Sequence, residues 1–141
     1  MADTMQFDLV SPERRLLSGQ AKAVRIPGAD GDMTAMPDHA PTVATLRPGV
    51  LTVEMDGGEE KFAVTGGFAQ ISPEGTTVLA EEALPVGEVT SEFLSERVAK
   101  AEKARDEAEG DAVDGAAKLV SDLVAMGDEI GIPATSRAPA P

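Results

Sequence analysis

His39 is the only imidazole in the chain, and it stands in DGDMTAMPDHAPTVATLRPG, Asp30 to Gly49, with three carboxylates: Asp30, Asp32 and Asp38. An imidazole beside a carboxylate is equipment for general-base chemistry or for holding a metal ion. Here it lacks company, because one histidine and no cysteine leave a zinc site short of its ordinary donors. Asp30-Gly31-Asp32 opens like a calcium loop, but Thr34 and Ala35 stand where a further oxygen donor and a glycine are required. Gly57-Gly58 and Gly66-Gly67 fit neither G-x-G-x-x-G nor G-x-x-x-x-G-K, so no phosphate cradle is indicated. Gly66-Gly67 reads instead as a bulge or a close backbone approach. No catalytic residue, metal set or cofactor emerges, and the pattern points to part of an assembly more than to an enzyme.

The 141 residues carry 12 basic against 25 acidic side chains, a net charge of −13. Nucleic acid is bound by neutralising its phosphates with Lys and Arg, so no nucleic-acid partner is expected. The same repulsion opposes adsorption to an anionic membrane surface. The opening MADTMQFDLV has no basic stretch followed by an apolar run and does not read as a secretory signal. No stretch approaches the roughly 20 apolar residues that span a bilayer. The absence of cysteine removes a disulfide framework and a thiolate nucleophile.

Two regions with different periods must position whatever the loop does. Ten of the 14 glycines lie before residue 88, and turn signals recur there between short alternating runs. Met5, Phe7 and Leu9 share one face, as do Val24 with Ile26, Leu51 with Val53 and Met55, and Phe62 with Val64. That alternation predicts an all-β sandwich or barrel over residues 1–87, with a hairpin at MDGGEEKF and a type I turn at SPEG. The Asp30–Gly49 segment reads as a semi-rigid, half-apolar loop, because its prolines and glycines oppose regular structure.

After Gly87 the composition turns to Ala, Glu, Lys and Arg, and two helices joined by a short link are predicted over 88–131. Ser91 is the expected cap of the first, with a stripe of Leu94, Val98, Ala101, Ala104 and Ala108 and a solvated pair of Glu96 with Lys100. Asp111 with Asp114 is the expected capping box of the second, and Gly131 with Pro133 its stop. Both helices are expected to run about 19 residues, which with so short a link makes an antiparallel hairpin. Residues 132–141 are Pro/Ala-rich and read as a flexible tail.

Four stretches, in order and with matching spacing, resemble the epsilon subunit of bacterial F-type ATP synthase. They are FDLVSPERRLLSG, VRIPGADGDMTAMPDHAPTVATLRPG, VTGGFAQIS and TTVLAEEA; they carry the likeness over residues 5–87, and the architecture carries it over 88–131. The resemblance implies a flattened β-sandwich of about ten strands followed by a C-terminal two-helix hairpin. It implies a non-catalytic subunit of the central rotor, between the gamma subunit and the c-ring, meeting the catalytic head subunits only transiently. Such a subunit lies at the cytoplasmic face of the bacterial inner membrane and touches the membrane only through the complex. By position, Asp30, Gly31, Asp32 and His39 match the family's c-ring contact loop, with departures at Thr34 and Asp38 where the family generally has glycine. In some members the hairpin inhibits ATP hydrolysis or binds ATP. Of that nucleotide motif only Arg97 survives here, since Phe93, Leu94 and Val98 replace the aliphatic, Asp and Ala. Residues 111–131 carry five acids and one base, Lys118. The hairpin is therefore expected to be a weak inhibitor without a nucleotide site. Two other readings stand beside this one: a free acidic β-sandwich adaptor with a helical partner-binding arm, and a small metal-dependent enzyme around His39 and Asp38.

Overall fold

A computed structural model describes residues 3–132. The chain divides into two units, one ending at Val86 and the other beginning at Gly87.

Among the described residues the first unit holds nine strands: β1 Met5–Val10, β2 Arg15–Gly28, β3 Gly31–Ala35, β4 Thr42–Leu46, β5 Gly49–Met55, β6 Gly58–Val64, β7 Gly67–Ile71, β8 Gly75–Ala80 and β9 Ala83–Pro85. The long β2 builds both layers. Its first half pairs with β1, its second half pairs with β3 and β5, and the register shifts between Ala21 and Ala23 where the strand changes sheets. One layer runs β1–β8–β7–β4, and the contact of Leu46 with Gly28 joins it to the β2–β5–β6–β9 layer, with β3 beside β2. The β1–β8 pair is parallel and the other strand pairs are antiparallel.

Alternation does what it predicts. Met5, Phe7 and Leu9 point inward to meet Val24, Ile26, Leu51, Val53, Phe62, Val64, Ile71 and Val78, all buried. Burying a side chain of this size contributes about 1.5–3 kcal/mol. Gly57 and Gly58 take positive φ in the β5–β6 turn, and Ser72 and Gly75 exchange backbone hydrogen bonds across SPEG.

The Asp30–Gly49 segment is not a single loop. It contains β3 and β4, because Pro37 and Pro41 fall in the connection between them, where no ladder donor is needed.

The second unit holds α1, Ser91–Glu107, and α2, Ala112–Ile130, which pack on each other. They span 17 and 19 residues. Thr90, not Ser91, caps α1: its hydroxyl accepts from the Phe93 N–H at 3.0 Å. The Asp111–Asp114 capping box does not form, since Asp111 is itself helical in backbone and its side chain caps nothing. Gly131 ends α2 in the left-handed region as predicted, with its N–H and that of Ile132 returning to the last turn. The α1 stripe is Leu94, Val98, Ala101, Glu102 and Arg105, while Ala104 is exposed. Glu96 approaches its neighbour Arg97 at 3.4 Å, in place of the expected Lys100. Residues 133–141, most of the predicted tail, lie outside the described residues.

Candidate functional site

The four residues matched to the contact loop divide between two places. Asp30 is the exposed tip of the β2–β3 hairpin, where Gly28 pairs with Gly31. A Cβ on Gly28 would lie 2.5 Å from the Gly31 oxygen, so the turn closes only around a glycine. Asp32 follows on β3, its carboxylate accepting from Arg47 Nη2 at 2.6 Å. His39 lies past the far end of β3, about 14 Å further on by strand rise from Gly31 to Ala35 alone. It is half-buried in the β3–β4 connection, with Nδ1 at 2.7 Å from the Ala40 carbonyl oxygen. β3 is what carries His39 away from Asp30.

Asp38 has φ +66, a left-handed conformation that Asp tolerates better than most residues, at a position where glycine was the expected type. Its N–H donates to the Pro73 oxygen at 3.1 Å, tying the β3–β4 connection to the β7–β8 turn. Thr34, the other departure, is an ordinary strand residue paired with Arg25. Among the described residues no group of three or more His, Cys, Asp or Glu could hold a metal ion.

A second feature is apolar, and the sequence reading did not single it out. On the outward face of β1–β8–β7–β4 the register sets Val10 beside Leu79, Leu79 beside Phe68, and Phe68 beside Thr45. Phe68 is 54% exposed and Leu79 43%, and Val43 on the same face reaches 70%. Isolated exposed apolar side chains are ordinary, whereas these form a contiguous row across three strands. The available signal was Phe68 and Leu79 next to inward Ala69 and Val78: alternation there places apolar groups on both faces.

In the helical unit, the Arg97 guanidinium sits over the Phe93 ring, 4.3 Å from its centroid. Phe93 thus stacks on Arg97, the one residue that the resemblance matches to the nucleotide motif.

Residues 4–86 match the family model described as ATP synthase, Delta/Epsilon chain, beta-sandwich domain. An ATP synthase epsilon chain of Rhodobacter capsulatus is 53% identical over 132 residues, covering 94% of this chain and 100% of the relative. This chain belongs to the ATP synthase epsilon family. Another epsilon chain, from Paracoccus denitrificans, is 52% identical over 139 residues, covering 94% of each. Among solved structures, a chain of the Euglena gracilis mitochondrial ATP synthase OSCP/F1/c-ring assembly superposes with a TM-score of 0.66 at 25% identity, covering 86% of this chain and 78% of that one. A chain of the Tetrahymena thermophila mitochondrial ATP synthase central stalk and c-ring shares the fold, with a TM-score of 0.61 at 15% identity. The family match spans the Asp30 tip, the Asp38 connection and the exposed apolar row, and it stops one residue before the helical unit begins.

Proposed function

We propose that this chain is the epsilon subunit of the central rotor in a proton-translocating F-type ATP synthase, passing rotation of the c-ring through the gamma subunit to the catalytic head and performing no bond chemistry itself. The observation that carries this is likeness along nearly the whole chain: the Rhodobacter capsulatus epsilon chain is covered over 100% of its length. The surface supplies the physical counterpart. The gamma subunit covers the row Val10, Leu79, Phe68 and Val43, which removes exposed apolar area from water. The c-ring meets the Asp30 tip, whose acid suits polar loops carrying arginine. No helix among the described residues is long and apolar enough to cross a membrane. The subunit sits peripherally at the cytoplasmic face of the bacterial inner membrane, held there by the complex. Residues 1–87 bind the rotor and residues 88–131 form the helical hairpin.

Affinity purification of the tagged chain from native membranes at low salt is the test. Subunits of the ATPase should be recovered in fixed proportion to it. Recovery of the chain only as a free species would overturn the proposal and favour the adaptor reading.

The hairpin is a weak brake. An inhibitory hairpin enters the catalytic head beside acidic segments, yet residues 111–131 hold Asp111, Asp114, Asp122, Asp128 and Glu129 against Lys118 alone. Of these, Asp122 is already bonded to Lys118 Nζ at 2.6 Å. Deleting residues 88–141 should therefore change ATP hydrolysis by less than about two-fold, like charges at a partly desolvated contact being unfavourable. A several-fold rise in hydrolysis would show that the hairpin inhibits despite its charge.

A further inference from the structure

We infer that Arg47 is the positioning residue of the Asp30 tip, and that Asp30 alone among the two neighbouring acids is left to meet the partner; this rests on the c-ring reading given above. Asp30 and Asp32 look equivalent in sequence. In the structure they are not. The Asp32 carboxylate accepts from Arg47 Nη2 at 2.6 Å, while Arg47 Nη1 donates to the Gly28 oxygen at 2.7 Å. One guanidinium thus grips the hairpin on both strands, at Gly28 on β2 and at Asp32 on β3. The backbone adds to the grip: the Arg47 N–H donates to the Pro27 oxygen at 3.0 Å, and the Ala29 N–H to the Thr45 oxygen at 2.7 Å. Among the described residues none bonds to the Asp30 side chain, which lies exposed between the clamped residues.

The arrangement suits positioning better than stability. The Arg47 side chain is 27% exposed and that of Asp32 60%, and an ion pair so near water adds little to global stability. A planar guanidinium with forked donors nevertheless fixes two acceptors in one geometry, which an ammonium on a flexible stem does not. Ordering the tip in advance reduces what must be immobilised when a partner docks. The charge of Asp32 is meanwhile cancelled locally, so the net negative potential offered at the tip comes from Asp30.

The test combines a local and a functional measurement on Arg47→Gln, Arg47→Lys, Asp32→Asn and Asp30→Lys. Amide hydrogen exchange at residues 29–31 of the free full-length chain reads the grip without any partner. Arg47→Gln and Asp32→Asn should each speed it by about ten-fold, with Arg47→Lys in between and Asp30→Lys unchanged. In complexes containing each variant, proton pumping per ATP hydrolysed should fall about two-fold or more for Arg47→Gln and for Asp30→Lys. Asp32→Asn added to Arg47→Gln should change little further, because Asp32 acts through Arg47, whereas Arg47→Gln added to Asp32→Asn also removes the bond to the Gly28 oxygen. Unchanged exchange and unchanged coupling in Arg47→Gln, with coupling still lost in Asp30→Lys, would overturn the positioning role and leave the c-ring reading intact. Faster exchange in Arg47→Gln with full coupling in both it and Asp30→Lys would instead overturn the c-ring reading, and the positioning role with it.

Discussion

Phe68→Asp combined with Leu79→Asp is expected to release the chain from the ATPase while leaving its sandwich folded. The two side chains face outward on neighbouring strands, paired directly in the β7–β8 register, and each is close to half exposed. Their inward neighbours Ala69, Val78 and Ala80 hold the core and are untouched. Substitutions at outward positions usually move stability by no more than about 0.5 kcal/mol. At the center of a docked surface the same changes are costly, because an unpaired carboxylate is buried where an apolar anchor was lost. A loss of about 100-fold in affinity for the gamma subunit, near 2.7 kcal/mol, is the expected scale. Asp also disfavours strands, so Phe68→Thr with Leu79→Thr is the companion variant: it keeps β propensity and removes only apolar area. Circular dichroism and recovery with the complex are measured on both. Wild-type recovery of a folded Asp variant would show that the rotor grips another face.

That row also marks where sequence reading stops. The inward faces of β1, β5 and β6 were legible because Met5-x-Phe7-x-Leu9, Leu51-x-Val53 and Phe62-x-Val64 carry the strand period locally, and the core needs nothing more. The Gly57-Gly58 turn and the helix stop at Gly131 were legible for the same reason: each answers a local backbone demand. The outward row was not, because it exists only once β1 lies parallel to β8 and β8 lies beside β7, pairings between residues far apart in sequence. β3 and β4 were missed for a related reason. Each is a five-residue strand in a proline-marked stretch, and β4 finds its partner in β7. Once β3 is a strand, His39 cannot share the tip with Asp30. The choice of Thr90 over Ser91 as cap is a shift of one residue, set by where α1 begins its turn and invisible in the residue types. Likewise Arg105 rather than Ala104 falls on the buried stripe, because the helix phase is set by what α2 presents to it.

Gly67→Ala should cost more stability than any other single methyl added to the sandwich glycines, on the order of 3 kcal/mol or more, where backbone strain and a steric clash combine. Gly67 opens β7 with φ +126, a region that a residue with a Cβ rarely enters. The added methyl would also stand 2.1 Å from the Leu79 carbonyl oxygen and 2.9 Å from the Ala80 Cα. These are backbone atoms of the paired strand, so no side-chain rotation relieves the contact; β7 and β8 must separate, beginning at the pair Gly67–Ala80 and spreading to Leu46 of β4 on the other side. Gly58 provides the control. Its φ is +139, close to that of Gly67, but nothing lies within 4 Å of where its methyl would go. Gly58→Ala therefore carries the backbone strain alone, about 1–3 kcal/mol. Urea denaturation of both variants separates the two causes, the excess loss in Gly67→Ala measuring how closely β7 approaches β8. Since a domain of this size is stable by only about 5–15 kcal/mol, that excess is a large share of the whole. Equal losses in the two variants would mean that the strands part freely at Gly67, and the close approach there would not be what holds β7 against β8.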